Sequence, residues 1–182
     1  MRRLARPGMR CFDIGGHGGY YALVLARLTG GQVATFEFQQ DALEKMRGNL
    51  ALNDRLASQI QVVQTYVAHE QNADPPTDTL DELIADGVVF APDFMKIDVE
   101  GAEAMVLAGA TDLLTHHQPN LIIETHSSTL ETECAQYLAR AGYTPTVVNQ
   151  RQILRERRGT EHNRWLVAIG KPAEGRGDGS LG

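Results

Sequence analysis

The chain has 182 residues with a formal net charge of −6, 42% hydrophobic and 22% charged residues, the balance of a soluble globular domain. That negative charge argues against broad nucleic-acid binding, which needs a basic surface. Apolar runs such as Leu121-Ile122-Ile123 fall far short of the roughly 18 residues that cross a bilayer, and the Arg-rich start lacks an apolar signal region. A cytoplasmic protein with no membrane span is therefore expected, made of a short N-terminal segment (1–10), one domain (11–170) and a disordered tail (171–182) rich in Gly and charge. Cys11 and Cys134 lack CxxC or Cys/His ligand spacing and read as buried thiols, and no metal site is assigned.

Short β-branched or apolar runs alternate with amphipathic segments, which specifies parallel strands joined by crossover helices. Residues 11–14 read as the first strand. A helix over 20–28 stops at Gly30-Gly31, and 32–37 forms the second strand. A helix over 40–52 carries Leu43, Met46 and Leu50 on one face. Asn53-Asp54 makes a turn into a third strand over 59–67. Residues 72–78, with Pro75-Pro76, read as a polar loop, after which Thr79 and Glu82 suit a capping box on a short helix through Ala85. Strand four spans 94–98, and one helix from about Ala102 to Leu114 leads to a strand over 121–125. A helix over 130–141 closes at Gly142, and strands over 143–148 and 164–169 suit a hairpin. His116-His117 ends a helix, where capping is the expected role.

Chemistry concentrates where the first strand delivers Asp13 into Gly15, Gly16, His17, Gly18 and Gly19, followed by a helix and then Glu37 at the end of strand two. The glycines allow a sharp turn and close approach of backbone to a ligand, and the helix offers free N–H groups. Glu37 suits two hydrogen bonds from a ribose diol. A G-x-G-x-x-G fingerprint fails, since its third glycine falls on Tyr21 when read from Gly16, which disfavours a dinucleotide. Asp13 instead suits an ammonium, such as that of a methionine moiety.

These blocks resemble the FkbM-type S-adenosylmethionine-dependent methyltransferases. The similarity includes residues 13–19, Phe36-Glu37, the segment Phe94-Met95-Lys96-Ile97-Asp98-Val99-Glu100-Gly101-Ala102-Glu103, Val106 to Ala110, and Ile122 to His126. Gly16-His17 stand where the family usually has Ala-Asn, and Phe38 where it has Pro. The resemblance implies an α/β fold, a Rossmann-like class I methyltransferase with a mostly parallel doubly wound sheet and a C-terminal antiparallel hairpin. It implies S-adenosyl-L-methionine as cofactor, held by Asp13, Gly15, Gly16, His17, Gly19, Tyr20, Glu37 and Phe38. It also implies O-methylation of a small molecule or glycan.

Asp98, Glu100, Glu124 and His126 would then converge at the carboxyl ends of the strands, with Asp98, His126 and Glu100 catalytic and Glu124 touching the acceptor. His126 suits a base or a loop cap, and Asp98 and Glu100 could instead satisfy a helix N-terminus. Tyr20 suits either the donor pocket or packing under the first helix, and the facing of Lys96 is open. Arg155 and Arg157, with Arg151 and Arg158 in the segment 150–162, suit either an acidic acceptor or a solvated loop in which they pair with Glu156 and Glu161. A second reading is a nonenzymatic nucleotide-binding module, favoured by the short N-terminus.

Overall fold

The computed structural model describes residues 1–73, 76–149 and 164–171. The segment 150–162, with Arg155 and Arg157, and the tail beyond Lys171 lie outside the described residues. Seven strands form one sheet: β1 (Cys11–Ile14), β2 (Val33–Glu37), β3 (Ile60–Gln64), β7 (Phe94–Ile97), β8 (Asn120–Thr125), β9 (Thr146–Asn149) and β10 (Arg164–Ala168). Their order is β3-β2-β1-β7-β8-β10-β9. The first five run parallel, while β10 pairs antiparallel with both β8 and β9. Residues of β1 and β7 are buried throughout, as befits central strands covered on both faces. This is the mostly parallel Rossmann-like sheet with the expected C-terminal hairpin.

Between the sheet strands lie α1 (Tyr20–Thr29), α2 (Gln40–Ala51), α3 (Asp54–Ala57), α4 (Leu80–Ala85), α5 (Glu103–Ala108), a π-helical turn (Leu113–His117) and α6 (Ser128–Arg140). One core of Phe12, Ile14, Met95, Ile97, Leu107 and Ile123, among others, fills the α5–α6 side. A smaller one joins α1 to Cys11, Val33 and Phe94, and Ala5 of the N-terminal segment is buried in it. Cys11 and Cys134 are free and buried, and burial pushes both thiols up to about 12, so neither offers a reactive thiolate.

Five expectations need correction. The third strand ends at Gln64, because a second, small sheet begins there: β4 (Tyr66–Val67) pairs parallel with β6 (Pro76–Asp78), which pairs antiparallel with β5 (Asn72–Ala73). The polar loop is thus partly strand, tied down by Thr65 Oγ1 donating to Asp78 Oδ2 at 2.6 Å and Ala68 N to Asp78 O at 2.9 Å. The turn at Asn53-Asp54 opens the short helix α3.

The helix expected from Ala102 to Leu114 is broken. Gly109 lies so close to the Ala68 carbonyl that a Cβ would stand 2.0 Å from it. The Asp81 carboxylate takes the N–H groups of Asp112 (2.8 Å) and Leu113 (2.9 Å) and restarts the coil as the π-turn. The strand expected from Tyr143 begins only at Thr146, because the Tyr143 N–H is spent on Leu138 O, closing α6. His116 Nδ1 meets the Asp112 carbonyl at 3.0 Å, a helix-end contact of the kind expected.

Thr79 caps α4, its Oγ1 accepting from Glu82 N at 3.1 Å while donating to Glu82 Oε2 at 2.8 Å. Thr79→Ala should cost about 1 kcal/mol, a typical capping loss, read as a lower urea midpoint with unchanged slope. An unchanged midpoint would mean the cap is energetically idle.

Candidate functional site

The strand order places β1 beside both β2 and β7, so the chain reverses its direction of winding between β1 and β7. Open α/β sheets bind ligands at such a switch, beyond the carboxyl ends of the strands. Here those ends carry Asp13-Ile14-Gly15, Glu37 and Ile97-Asp98. Gly15 N and Gly16 N both donate to Phe36 O (3.1 and 2.9 Å), and Asp98 N donates to Ile14 O (3.0 Å), so the loop continues the ladder before turning away. A Cβ on Gly15 (φ 80°) would stand 1.8 Å from Asp98 O, and one on Gly16 would stand 2.0 Å from Thr35 Oγ1. The glycines are required by how closely the loop packs, besides what it presents to a ligand.

A cavity of about 890 Å³ opens over this crossing. Gly15, Gly16, His17, Gly18 and Tyr20 form one wall, Glu37 and Phe38 another, with Thr65, Tyr66 and Val67 beside them and Lys96, Asp98 and Glu100 closing the floor and far rim. Two of the lining residues hold left-handed backbone without being glycine, His17 (φ 44°) and Glu100 (φ 50°), a strain that functional loops commonly retain. Tyr20 is 69% exposed and meets Tyr21 edge-on with ring centroids 5.2 Å apart, so it does not pack under α1. Phe38 and Tyr66 stand perpendicular, centroids 5.0 Å apart.

Glu37 is buried, and its carboxylate already serves the protein. Oε1 accepts from Phe38 N (2.8 Å) and Gln39 N (2.9 Å), and Oε2 from His17 N (2.8 Å). A carboxylate has about four acceptor positions, so one on Oε2 remains where two were expected for a ribose diol. Asp13 lies off the cavity wall, fully buried, with no hydrogen bond of ordinary length to either oxygen and with Lys96 Nζ 3.6 Å away. Burial pushes its carboxyl up to about 6, against the opposing pull of Lys96. Asp98, at the end of the neighbouring strand, does line the cavity, as Glu37 and Glu100 do.

Lys96 is the hub that sequence reasoning left open. It pairs across the strands with Asp13, and its ammonium stands 3.2 Å from Asp98 Oδ2 and 4.2 Å from the ring centre of Tyr21. Asp98 Oδ1 in turn lies 3.7 Å from His126 Nε2. Glu100 is exposed on the rim, apart from this cluster. Glu124 and His126, just beyond the cavity, each offer an atom within 4.8 Å of Asp98 and of each other, a set able to hold a cation. Glu124 Oε2 accepts from Trp165 Nε1 at 3.2 Å and edges a second recess of about 360 Å³ between Tyr21, Ile122, Trp165 and Val167.

Missed in the sequence were Glu103, which receives His126 Nδ1 at 2.7 Å, and the Thr65–Val67 wall. Glu103 had a signal: it sits three and four residues before Val106 and Leu107, on the helix stripe that faces the core.

A mostly parallel sheet of this order with a glycine loop at its switch point defines a Rossmann-like methyltransferase fold. The chain belongs to the FkbM methyltransferase domain family, whose match covers residues 66–156, half of the 182 residues. Among solved structures it is similar to the FkbM methyltransferase of Methylobacillus flagellatus (TM-score 0.73, 21% identity), covering 89% of this chain and 44% of that one. The chain thus spans less than half the length of that relative. The precorrin-6y C5,15-methyltransferase of Geobacter metallireducens superposes with TM-score 0.65 at 15% identity, covering 94% of this chain and 87% of that one. Aeropyrum pernix fibrillarin, solved with natively bound S-adenosyl-L-methionine, also gives 0.65 at 15% identity, over 91% and 68% of the two chains. No curated protein matches the sequence. Among the described residues no helix is long and apolar enough to cross a membrane.

Proposed function

We propose that this chain binds S-adenosylmethionine over the glycine loop and transfers its methyl group to a hydroxyl oxygen of a small molecule or glycan. The observation that carries the reading is the cavity at the β1–β7 switch, where side-chain-free backbone at Gly15 and Gly16 meets a carboxylate on Glu37 that keeps one acceptor position open. Those groups fit the cofactor: the glycine backbone its amino-acid end, Glu37 a ribose hydroxyl, and the Phe38, Tyr66 and Val67 surface its flat base. When bound, it supplies an electrophilic methyl on a sulfonium.

The protein's part is to align the acceptor and receive its proton. Asp98 lies on the wall nearest to Gly15, and His126 Nε2 beside it takes the hydroxyl proton as the new C–O bond forms. Glu124 borders the recess next to Tyr21 and Lys96 and contacts the acceptor there. Arg155 and Arg157 contact an acidic group on it, to be read from acceptor KM in an Arg155→Ser/Arg157→Ser variant at low and high salt. Two buried free thiols suit a reducing compartment, and the cytoplasm is the location we propose.

Calorimetry with S-adenosylhomocysteine and with NAD tests the cofactor, and transfer of labelled methyl across a panel of hydroxylated acceptors tests the reaction. Glu37→Gln should weaken S-adenosylhomocysteine binding by about 1–3 kcal/mol, the cost of a lost charge-assisted bond. Glutamine spares the N–H partners of Oε1 better than alanine would. Unchanged affinity in the folded variant, or tighter binding of NAD, would overturn the assignment.

A further inference from the structure

Glu103 opens α5 and is fully buried, beside Val106 and Leu107 of the same helix, which are equally buried. Placing a carboxylate there is costly, and an apolar residue of similar volume would generally serve stability as well or better. Its bonds are few. Oε1 accepts from Gly101 N at 3.1 Å and meets His126 Nδ1 at 2.7 Å, and Oε2 has no hydrogen-bond partner among the described residues. What the burial secures is one short contact to a histidine whose other nitrogen lies beside Asp98, a residue of the cavity lining.

An ionised carboxylate only accepts, so the proton of a neutral His126 lies on Nδ1 and Nε2 is left with its lone pair. That tautomer is assigned from the hydrogen-bond network. Nε2 stands 3.7 Å from Asp98 Oδ1. The two acceptors stand too far apart for a good hydrogen bond, and both side chains are part-exposed, so an O–H approaching from the open side can meet the imidazole lone pair. We propose that Glu103 is the positioning residue of a Glu103–His126 dyad, fixing the imidazole tautomer and orientation that make Nε2 a proton acceptor. The inference rests on the methyltransferase reading above and supplies its base with a partner. The hydroxyl proton moves to Nε2, the oxygen's freed pair forms the C–O bond, and the C–S pair leaves with the sulfur. The Glu103 carboxylate balances the imidazolium so formed and is not itself protonated.

The test is the tautomer itself, read from nitrogen-15 shifts of labelled histidines in the ligand-free protein above the imidazole titration range. Wild-type His126 should carry its proton on Nδ1. In Glu103→Gln the amide can donate to Nδ1 instead, so the population should move toward Nε2–H, and Glu103→Asp should restore part of the wild-type state. With an acceptor from the methyl-transfer panel, kcat of Glu103→Gln should fall on the order of a hundredfold or more, with S-adenosylhomocysteine affinity and acceptor KM nearly unchanged.

An Nε2–H tautomer in wild type, or a Glu103→Gln protein that keeps both tautomer and turnover, would overturn the inference. So would Mn²⁺ broadening centred on Nε2 with transfer lost to a chelator, since Nε2 would then be a ligand beside Asp98 and Glu124. If Glu103→Gln does not fold, the wild-type tautomer and Glu103→Asp decide. Full transfer by His126→Asn marks a different failure, that of the base reading, because it leaves the tautomer result intact.

Discussion

Lys96→Met is expected to lose about 3–5 kcal/mol of stability at neutral pH, the usual result of removing one member of a buried ion pair. The lysine side chain is 5% exposed and holds Asp13, which is fully enclosed, on one side and Asp98 on the other. Methionine fills the same volume, so the loss isolates the charge. Asp13 then has no cation within reach and must ionise alone or keep its proton.

Its carboxyl already titrates near 6 in the folded chain, above the ordinary 3.8. The folded state therefore holds a proton that the unfolded chain releases, and stability from this group is full below pH 3.8 and is lost as pH rises through about 6. The Lys96→Met deficit should accordingly be larger at neutral pH than under mildly acidic conditions, and Asp13→Asn should recover part of it in the double variant. Urea titrations at both pH values measure this. A deficit independent of pH, or no recovery in the double variant, would show that Asp13 is not what Lys96 holds.

Gly15→Ala should be nearly as damaging, and it separates loop packing from backbone strain. The added Cβ meets a backbone oxygen, Asp98 O at 1.8 Å, which no side-chain rotation can relieve. Overpacking and the left-handed φ of 80° together should cost about 2–5 kcal/mol. Gly30 is the internal control, since its φ of 64° is also left-handed but nothing lies within 4 Å of the built Cβ. Gly30→Ala should therefore lose only about 1–2 kcal/mol. Equal thermal shifts in the two variants would mean that the approach of the loop to β7 is not what demands a glycine.

Much of this frame was legible because local signals were unambiguous. Cys11–Ile14 running into four glycines and a helix marked the loop, Thr79 with Glu82 marked the start of α4, and the two antiparallel last strands followed from their spacing. What escaped depends on partners distant in sequence. The break at Gly109 is made by Ala68 and Asp81, and the end of the third strand by Asp78 reaching Thr65. Nothing near either site in the chain announces it.

The candidate site divides the same way. Of the residues that line the cavity, Gly15 and Glu37 could be picked out from their order along the chain, and Asp98 from the resemblance of its segment to the family. The facing of Lys96 became definite only when β7 lay beside β1 and put it across from Asp13. Its place in an otherwise apolar strand, Phe94-Met95-Lys96-Ile97, was the available clue, because a charge in a strand buried on both faces requires a counter-charge.

The hairpin has a consequence for synthesis. In space β10 lies between β8 and β9, yet in sequence it follows both. On the ribosome β9 emerges before the strand it pairs with, and β8 waits with one open edge until Arg164–Ala168 has left the exit tunnel. An unpaired edge recruits other strands. The interval between translation of β8 and release of β10 is thus when a nascent chain is most exposed to aggregation. Chains stalled before Arg164 should lean on chaperones, whereas chains carrying Arg164–Ala168 clear of the tunnel on an added C-terminal linker should not.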